Sequence, residues 1–338
     1  MNGKKDLAAL TALKGIFCLV IAFHNTMLIQ FLFDHIPGAS FLRLFGGHLG
    51  NSMFLTISGF LFAYNYRERI QNHQIAFPEF LKRRLSRLYP LYLISNCVSL
   101  VVSIVMYGPS AINLTKIAFM LLLVNGSAYN TPTWFLAVIF VCYILFYCVC
   151  YHTKNRTQYF SAITMLAVLG ATLQTDLPFL SVTHCFAYLN FFVGCILAEV
   201  FPMVLRARHR WLPHLCVALL GLIAYLLLGY GVEIIAGDVQ KAFSLVVTPM
   251  ILFIALSDSI YSRILKIRPL VFLGKISTSV YFWHLPGFFI FHDLIFGGSV
   301  TEVQYLVYAS LLLGFSFLSY RYIENRKRTL KAQIQSVK

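Results

Sequence analysis

Apolar runs of about twenty residues follow one another along almost the whole chain, and about twenty residues is the length an α-helix needs to cross the ~30 Å hydrocarbon core of a bilayer. No water reaches that depth, so backbone N–H and C=O groups must pair within the segment, as they do in a helix. Composition agrees with this reading. Of 338 residues 59% are hydrophobic and 12% charged, and the mean hydropathy of +0.75 lies far outside the soluble range. The expected fold class is all-α, a polytopic integral membrane protein with about ten transmembrane helices and one re-entrant or interfacial segment, forming a single domain over 1–338.

The candidate spans are 7–33, 44–66, 88–107, 132–151, 159–175, 184–201, 211–230, 241–257, 271–296 and 302–323. The first lacks a small-residue cleavage site and is longer than a signal-peptide core, so it reads as a retained signal anchor. A weaker run, Leu114 to Val124, cannot also span: the Arg206/Arg208/Arg210 and Arg263/Lys266/Arg268 loops would then face outside while the basic stretch around Arg83 faced inside. Treating 112–128 as re-entrant or interfacial places both termini and most of the 27 Lys and Arg residues in the cytoplasm.

The same bias explains the net charge of +15 without nucleic acid, because no soluble domain is available to present the basic residues. The expected partners of this charge are membrane lipids. All eight cysteines lie in or beside apolar runs and read as small packing residues. No ligand spacing suggests a metal.

Within the first run stand Lys14 and His24. A lysine at membrane depth costs roughly 2.5–3.5 kcal/mol on insertion scales, so such residues are candidates for function, against the alternatives of a snorkelling lysine and a hydrogen-bonded core histidine. Ten residues separate the pair by about 15 Å along the helix and about 80° around it. Their tasks should therefore differ. Helix 2 runs inward, which sets Ser58-Gly59-Phe60-Leu61 level with Lys14 and Asn51-Ser52 nearer the height of His24. Gly59 would let that helix approach a neighbouring helix or a bound cofactor.

After helix 2 comes the most basic stretch, Arg67, Arg69, Lys82, Arg83, Arg84 and Arg87, running as a loop into Tyr89-Pro90-Leu91-Tyr92. It could hold topology, bind anionic headgroups, or grip a phosphate-rich ligand with guanidinium forks one helical turn apart at Arg84 and Arg87. Further on, Trp134 and Phe135 open a helix at the outer interface. His284, beside Pro286 near mid-membrane, is the rival to His24. Glu324 ends the last helix, where an acid opposes the helix dipole unless cations answer it. Glu199 is similarly placed near the inner end of helix 6, and its partner is expected in the Arg206–Arg210 cluster.

Taken in order, these pieces resemble the membrane-bound acyltransferase family 3, whose members move acyl groups, commonly acetyl, from cytoplasmic acyl-CoA to sugars of cell-surface glycans and lipids. The resemblance rests on Lys14-Gly15-Ile16-Phe17 through Phe23-His24, Ser58-Gly59-Phe60-Leu61, Arg84-Leu85-Ser86-Arg87 with Tyr89-Pro90, and Trp134-Phe135-Leu136. It continues with Leu273-Gly274-Lys275-Ile276-Ser277, Trp283-His284-Leu285-Pro286 and Tyr322-Ile323-Glu324. It implies that His24 is the essential histidine, that Lys14 with Arg83, Arg84 and Arg87 serves an acyl-CoA donor, and that Ser58 and Gly59 shape the donor's path. The implied acceptor is a carbohydrate or glycolipid hydroxyl, and the implied location is the cytoplasmic membrane. One departure stands out: the family usually has arginine where this chain has Lys14. Asn51, Trp134, His284 and Glu324 are candidates for supporting or substrate-contacting roles. The competing reading is a multi-helix transporter or flippase, against which stands the lack of an inverted repeat.

Overall fold

The computed structural model describes residues 7–26, 40–123, 129–173, 175, 177, 179–206, 209–230 and 238–325. Among the described residues every regular element is helical: α1 (Ala8–Asn25), α2 (Ser40–Gln71), α3 (Phe77–Tyr107), α4 (Leu114–Leu122), α5 (Trp134–His152), α6 (Arg156–Thr172), α7 (Val182–Arg206), α8 (Leu212–Tyr230), α9 (Asp238–Leu256), α10 (Ile260–Leu265), α11 (Arg268–Phe289) and α12 (Glu302–Ser319). Two π-helical turns, Ile290–Ile295 and Tyr320–Glu324, extend α11 and α12. Among the described residues five segments are both long and apolar enough to cross a membrane: Ala8–Asn25, Phe77–Tyr107, Thr131–His152, Val182–Leu205 and Glu302–Glu324. Shorter apolar helices occupy Leu212–Leu226 and Ser244–Leu256. The weak eleventh run is a nine-residue helix, α4. Its length of about 14 Å cannot cross the core.

The described residues fall into two compact units, Met1–Ala76 with Val138–Gly274 and Phe77–Ala137 with Lys275–Lys338. In the first, bare backbone is the packing material. A Cβ on Gly59 of α2 would overlap the Phe191 carbonyl oxygen of α7, and one on Gly194 of α7 would overlap the Thr56 carbonyl oxygen of α2. Gly15 of α1 and Gly274 of α11 meet in the same way, with a Gly15 Cβ falling 2.5 Å from the Gly274 nitrogen. Lipid tails are as apolar as leucine, so apolar surface alone does not drive helices together; close van der Waals approach does. Beside the α2–α7 crossing, Phe62 stacks on Tyr143 with ring centroids 4.1 Å apart, and Phe146 and Phe191 pack against its edges.

Helices α2 and α7 run parallel, which brings Arg67 level with Glu199. Arg156 of α6 donates from Nε to the other carboxylate oxygen at 3.0 Å, and the Arg67 guanidinium lies 4.5 Å over the Tyr159 ring. Glu199 is thus held by Arg67 and Arg156, which arrive at its height from neighbouring helices; of the Arg206–Arg210 cluster anticipated from sequence, the Arg206 side chain and Arg208 lie outside the described residues.

The second unit is built on answered backbone polar groups. Pro286 lacks an N–H, which leaves the Phe282 carbonyl of α11 without its helical donor; Asn130 Nδ2 donates to it at 2.8 Å. The Asn130 backbone N–H donates to Asn96 Oδ1 of α3 at 2.9 Å, and Asn96 Nδ2 donates to Thr133 Oγ1 at 3.3 Å. Tyr308 of α12 donates its hydroxyl to the His284 carbonyl. At the end of α4, the hydroxyls of Tyr89 and Tyr92 donate to the carbonyls of Leu121 and Met120, the second of which also takes the Leu123 N–H.

Asn130→Ala is expected to lower stability by roughly 1–2 kcal/mol, the range for a hydrogen bond between transmembrane helices. Adding Pro286→Ala should restore most of that loss, because an alanine N–H would itself satisfy the Phe282 carbonyl; thermal unfolding in detergent measures both. Glu199→Ala leaves the Arg67 guanidinium, only 15% exposed, without its carboxylate. The expected loss is roughly 3–5 kcal/mol, read as a lower unfolding midpoint and reduced chain abundance in membranes.

Candidate active site

His24 occupies the last turn of α1, half-buried. The sequence forms a helix here because its interior is apolar apart from Thr11 and Lys14 and carries no proline. Leu10, Leu13, Phe17, Cys18 and Ile21 bury one face, and the Thr26 hydroxyl closes the end by donating to the Ala22 carbonyl at 2.9 Å. The imidazole lies on α2. A Cβ built on Gly47 would sit 2.8 Å from His24 Cδ2 and 2.9 Å from Nε2, so the ring edge bearing Nε2 rests on backbone that has no side chain. One turn further along α2, Gly50 receives Ile21 and the Phe17 carbonyl.

These contacts fix an antiparallel register of α1 on α2: Gly47 faces His24 and Gly50 faces Ile21. Continued along both helices, the register sets Ile57 and Ser58 opposite half-buried Lys14, the level assigned from sequence. Ser58 is buried, and Gly59 faces α7 through the crossing described above. Asn51 follows Gly47 by four residues and so lies about 6 Å further along nearly the same face of α2. Its Oδ1 is buried with no hydrogen-bond partner. Ser52 pairs with Ser244 of α9, Oγ to Oγ, at 3.0 Å. Lys14, His24, Asn51, Ser58 and Gly59 therefore all belong to the first unit.

The remaining candidates belong to the second unit. Arg83, Arg84 and Arg87 are helical, not on a loop: α3 begins at Phe77, with Pro78 and Glu79 in its first turn as helix starts favour. Arg83 pairs with Glu79 one turn back, both half-exposed. Arg84 is half-buried. Arg87 lies within electrostatic reach of Glu324, and Glu324 also accepts a hydrogen bond from Ser279 Oγ of α11. Ser279 continues to Ser319 at 3.4 Å, and Ser319 accepts the Trp283 indole N–H at 2.9 Å. The terminal acid thus lies in the field of a cation, with Oε2 buried and lacking a hydrogen-bond partner among the described residues, and through its bond to Ser279 it clasps the end of α12 to α11.

His284 is fully buried, with Nδ1 2.7 Å from the Tyr281 carbonyl and its ring 5.7 Å from the Tyr281 ring. Trp134 opens α5 half-buried, packed edge-on against Phe135. Gly47, Asn96, Asn130 and Tyr308 have structural or positioning contacts that sequence reading missed. The Gly46-Gly47 pair followed by Gly50 was the available signal for the first. Among the described residues no group of three or more His, Cys, Asp and Glu side chains gathers as a metal site.

Residues 7–321 match the model of the acyltransferase-3 family, described as an acyltransferase domain. The O-acetyltransferase OatA of Staphylococcus aureus strain NCTC 8325 is 25% identical over 330 residues, covering 86% of this chain and 54% of OatA, and OatA of strain COL matches equally. A further protein of strain COL, provisionally named an O-acetyltransferase, is 40% identical over 65 residues, which are 19% of this chain and 11% of that protein. The chain spans about half the length of the curated OatA relatives it matches. No solved structure matches it. Because the family match extends over residues 7–321, nearly the whole chain and parts of both compact units, this membrane protein belongs to the acyltransferase-3 family.

Proposed function

We propose that the protein is an O-acyltransferase of the cytoplasmic membrane, moving an acyl group, acetyl by analogy with the OatA name, from acyl-CoA to a hydroxyl of a cell-surface or lipid-linked carbohydrate. The observation that carries this reading is the family match together with a histidine whose ring is set against a neighbouring helix at the end of α1. The proposed topology has ten spans, α4 and its flanks as a re-entrant or interfacial piece, and both termini in the cytoplasm, following the distribution of Lys and Arg.

In this reading Arg83, Arg84 and Arg87 take the phosphates of CoA. Guanidinium forks grip phosphate oxygens in pairs, and Arg84 and Arg87 are one turn apart on α3. Lys14 supplies a second cation for the donor, as a point charge rather than a fork, and Ser58 at its level supplies a hydroxyl. His24 acts on the acyl group. An imidazole, with an ordinary pKa near 6.5, can take the acceptor's hydroxyl proton as the acceptor oxygen attacks the thioester carbonyl carbon. The tetrahedral intermediate then expels the CoA thiolate as the C–S bond breaks, and the imidazolium returns the proton to sulfur. Alternatively the imidazole attacks first and expels the CoA thiolate as an acyl-imidazole forms; the acceptor oxygen then takes the acyl group as the C–N bond breaks, and its proton passes to the thiolate. Trapping of a labelled acyl group on His24 in the absence of acceptor separates the two routes. The Asn51 side chain, one turn of α2 beyond the histidine's contact, is assigned to the oxyanion through its Nδ2 donor.

Purified protein given radiolabelled acetyl-CoA and a panel of glycolipids should transfer label to one of them, whereas a transporter would move its substrate unmodified. His24→Ala should abolish transfer while the chain still inserts in the membrane; persistent acylation would move the role to His284. Lys14→Arg should preserve or raise activity, since it keeps the charge and adds a fork, and a complete loss would contradict donor binding. Arg84→Ala should raise the donor KM roughly 10- to 100-fold, the equivalent of one charged hydrogen bond of about 1.5–3 kcal/mol.

A further inference from the structure

We infer that Gly47 is the positioning residue for the His24 imidazole: the bare α2 backbone at this point sets the ring's orientation, and any side chain there would turn the ring out of its working pose. The inference rests on the proposed role of His24. It comes from the contact geometry. Among the described glycines with a clashing Cβ, Gly15, Gly59, Gly170, Gly194 and Gly274 meet backbone atoms of a neighbouring helix first, and Gly50 meets Ile21 and the Phe17 carbonyl. Gly47 differs, because its three nearest atoms, Cδ2 and Nε2 at 2.8 and 2.9 Å and Cγ at 3.5 Å, all belong to the histidine ring. Its openness accommodates an imidazole, not a helix crossing.

The energetics make this separable from folding. Glycine inside a helix is less favourable than alanine by roughly 0.8–1.0 kcal/mol, so α2 forgoes stability at this position. A Cβ at 2.8–2.9 Å from the ring is closer than van der Waals contact allows, and something must shift. What shifts is the far end of a side chain with two rotatable bonds, while the helices can stay in place. Gly50, one turn on, supports the same α1–α2 approach through Ile21 and a backbone oxygen, so the crossing does not hang on Gly47 alone. Misplacing a reacting group by about 1 Å typically costs a factor of ~100 in rate.

The test is Gly47→Ala in the full-length protein in detergent or proteoliposomes, with acetyl-CoA as donor and the acceptor found in the transfer assay. The expected result is a kcat lower by about 100-fold, donor and acceptor KM changed less than twofold, and an unfolding midpoint equal to or above that of the parent. An unchanged kcat overturns the inference. A fall in stability is resolved by the double variant with His24→Ala: if the ring is what the new methyl strikes, Gly47→Ala becomes harmless or stabilising once the ring is gone. If Gly47→Ala destabilises the His24→Ala protein as much as the parent, the methyl meets something else and the inference fails. Should His24→Ala itself retain transfer, the proposed catalytic role falls, while the stability coupling between positions 24 and 47 still reports on the contact.

Discussion

Close approach of helix backbones is the constraint on which the first unit depends. In water, α1, α2, α6 and α7 would associate simply by hiding apolar faces. In a bilayer that gain vanishes, and what remains is dispersion between atoms that fit, which falls off within a fraction of an ångström. Gly59 against Phe191, Gly194 against Thr56, Gly170 against the Cys185–Leu189 turn and Gly15 against Gly274 each remove a Cβ that would hold two helices apart. The histidine's seat is a by-product of the same device. With α1 drawn in on one side by the Gly15–Gly274 contact and on the other by Gly50, its last turn is fixed closely enough that a single missing side chain at Gly47 defines where the ring lies.

The second unit solves a different problem, that of backbone groups stranded by proline and by helix ends. The Phe282 carbonyl is answered by Asn130, the Tyr281 carbonyl by the His284 ring, and the His284 carbonyl by Tyr308. These three carbonyls lie within one turn of α11 just before Pro286, and the contacts give His284 work that a core histidine can do without touching a substrate. The weight placed on His24 follows partly from this contrast: one histidine is enclosed and occupied with its own helix, the other is half-buried on a glycine of its neighbour.

Much of this was legible in the sequence, though unevenly. Helical class followed from the length of the apolar runs, and the level of Ser58 with Lys14 followed from rise per residue along two antiparallel helices. The α3 arginines were misread as a loop because basic residues between apolar runs look like a connection, yet Phe80, buried among them, anchors an extension of the helix. Glu199 was matched to cations nearby along the chain, while the pairs described for it, with Arg67 and Arg156, come from other helices at equal height, which spacing along one sequence does not reveal. Gly47 was invisible as a site residue for a similar reason. A glycine in a membrane helix ordinarily signals a helix crossing, and only the register of α1 on α2 reveals that an imidazole fills the gap.

That register also bears on how the basic residues divide their tasks. The chain has 27 Lys and Arg against 12 Asp and Glu, so cations outnumber carboxylates, and the pairs among the described residues stand out. Arg67 is committed to Glu199 and stacked on Tyr159, inside the bundle. Arg87 faces Glu324, an acid held in turn by Ser279, so drawing Arg87 onto a phosphate would leave a half-buried carboxylate poorly answered. The Arg83–Glu79 pair is half-exposed, and exposed pairs of this kind contribute about 0–1 kcal/mol. A diphosphate could displace that partner at small cost. Under the proposed reading, Arg83 is therefore the phosphate-binding residue released at least cost to the fold, while Arg87 exchanges its field on Glu324 for the donor's phosphates.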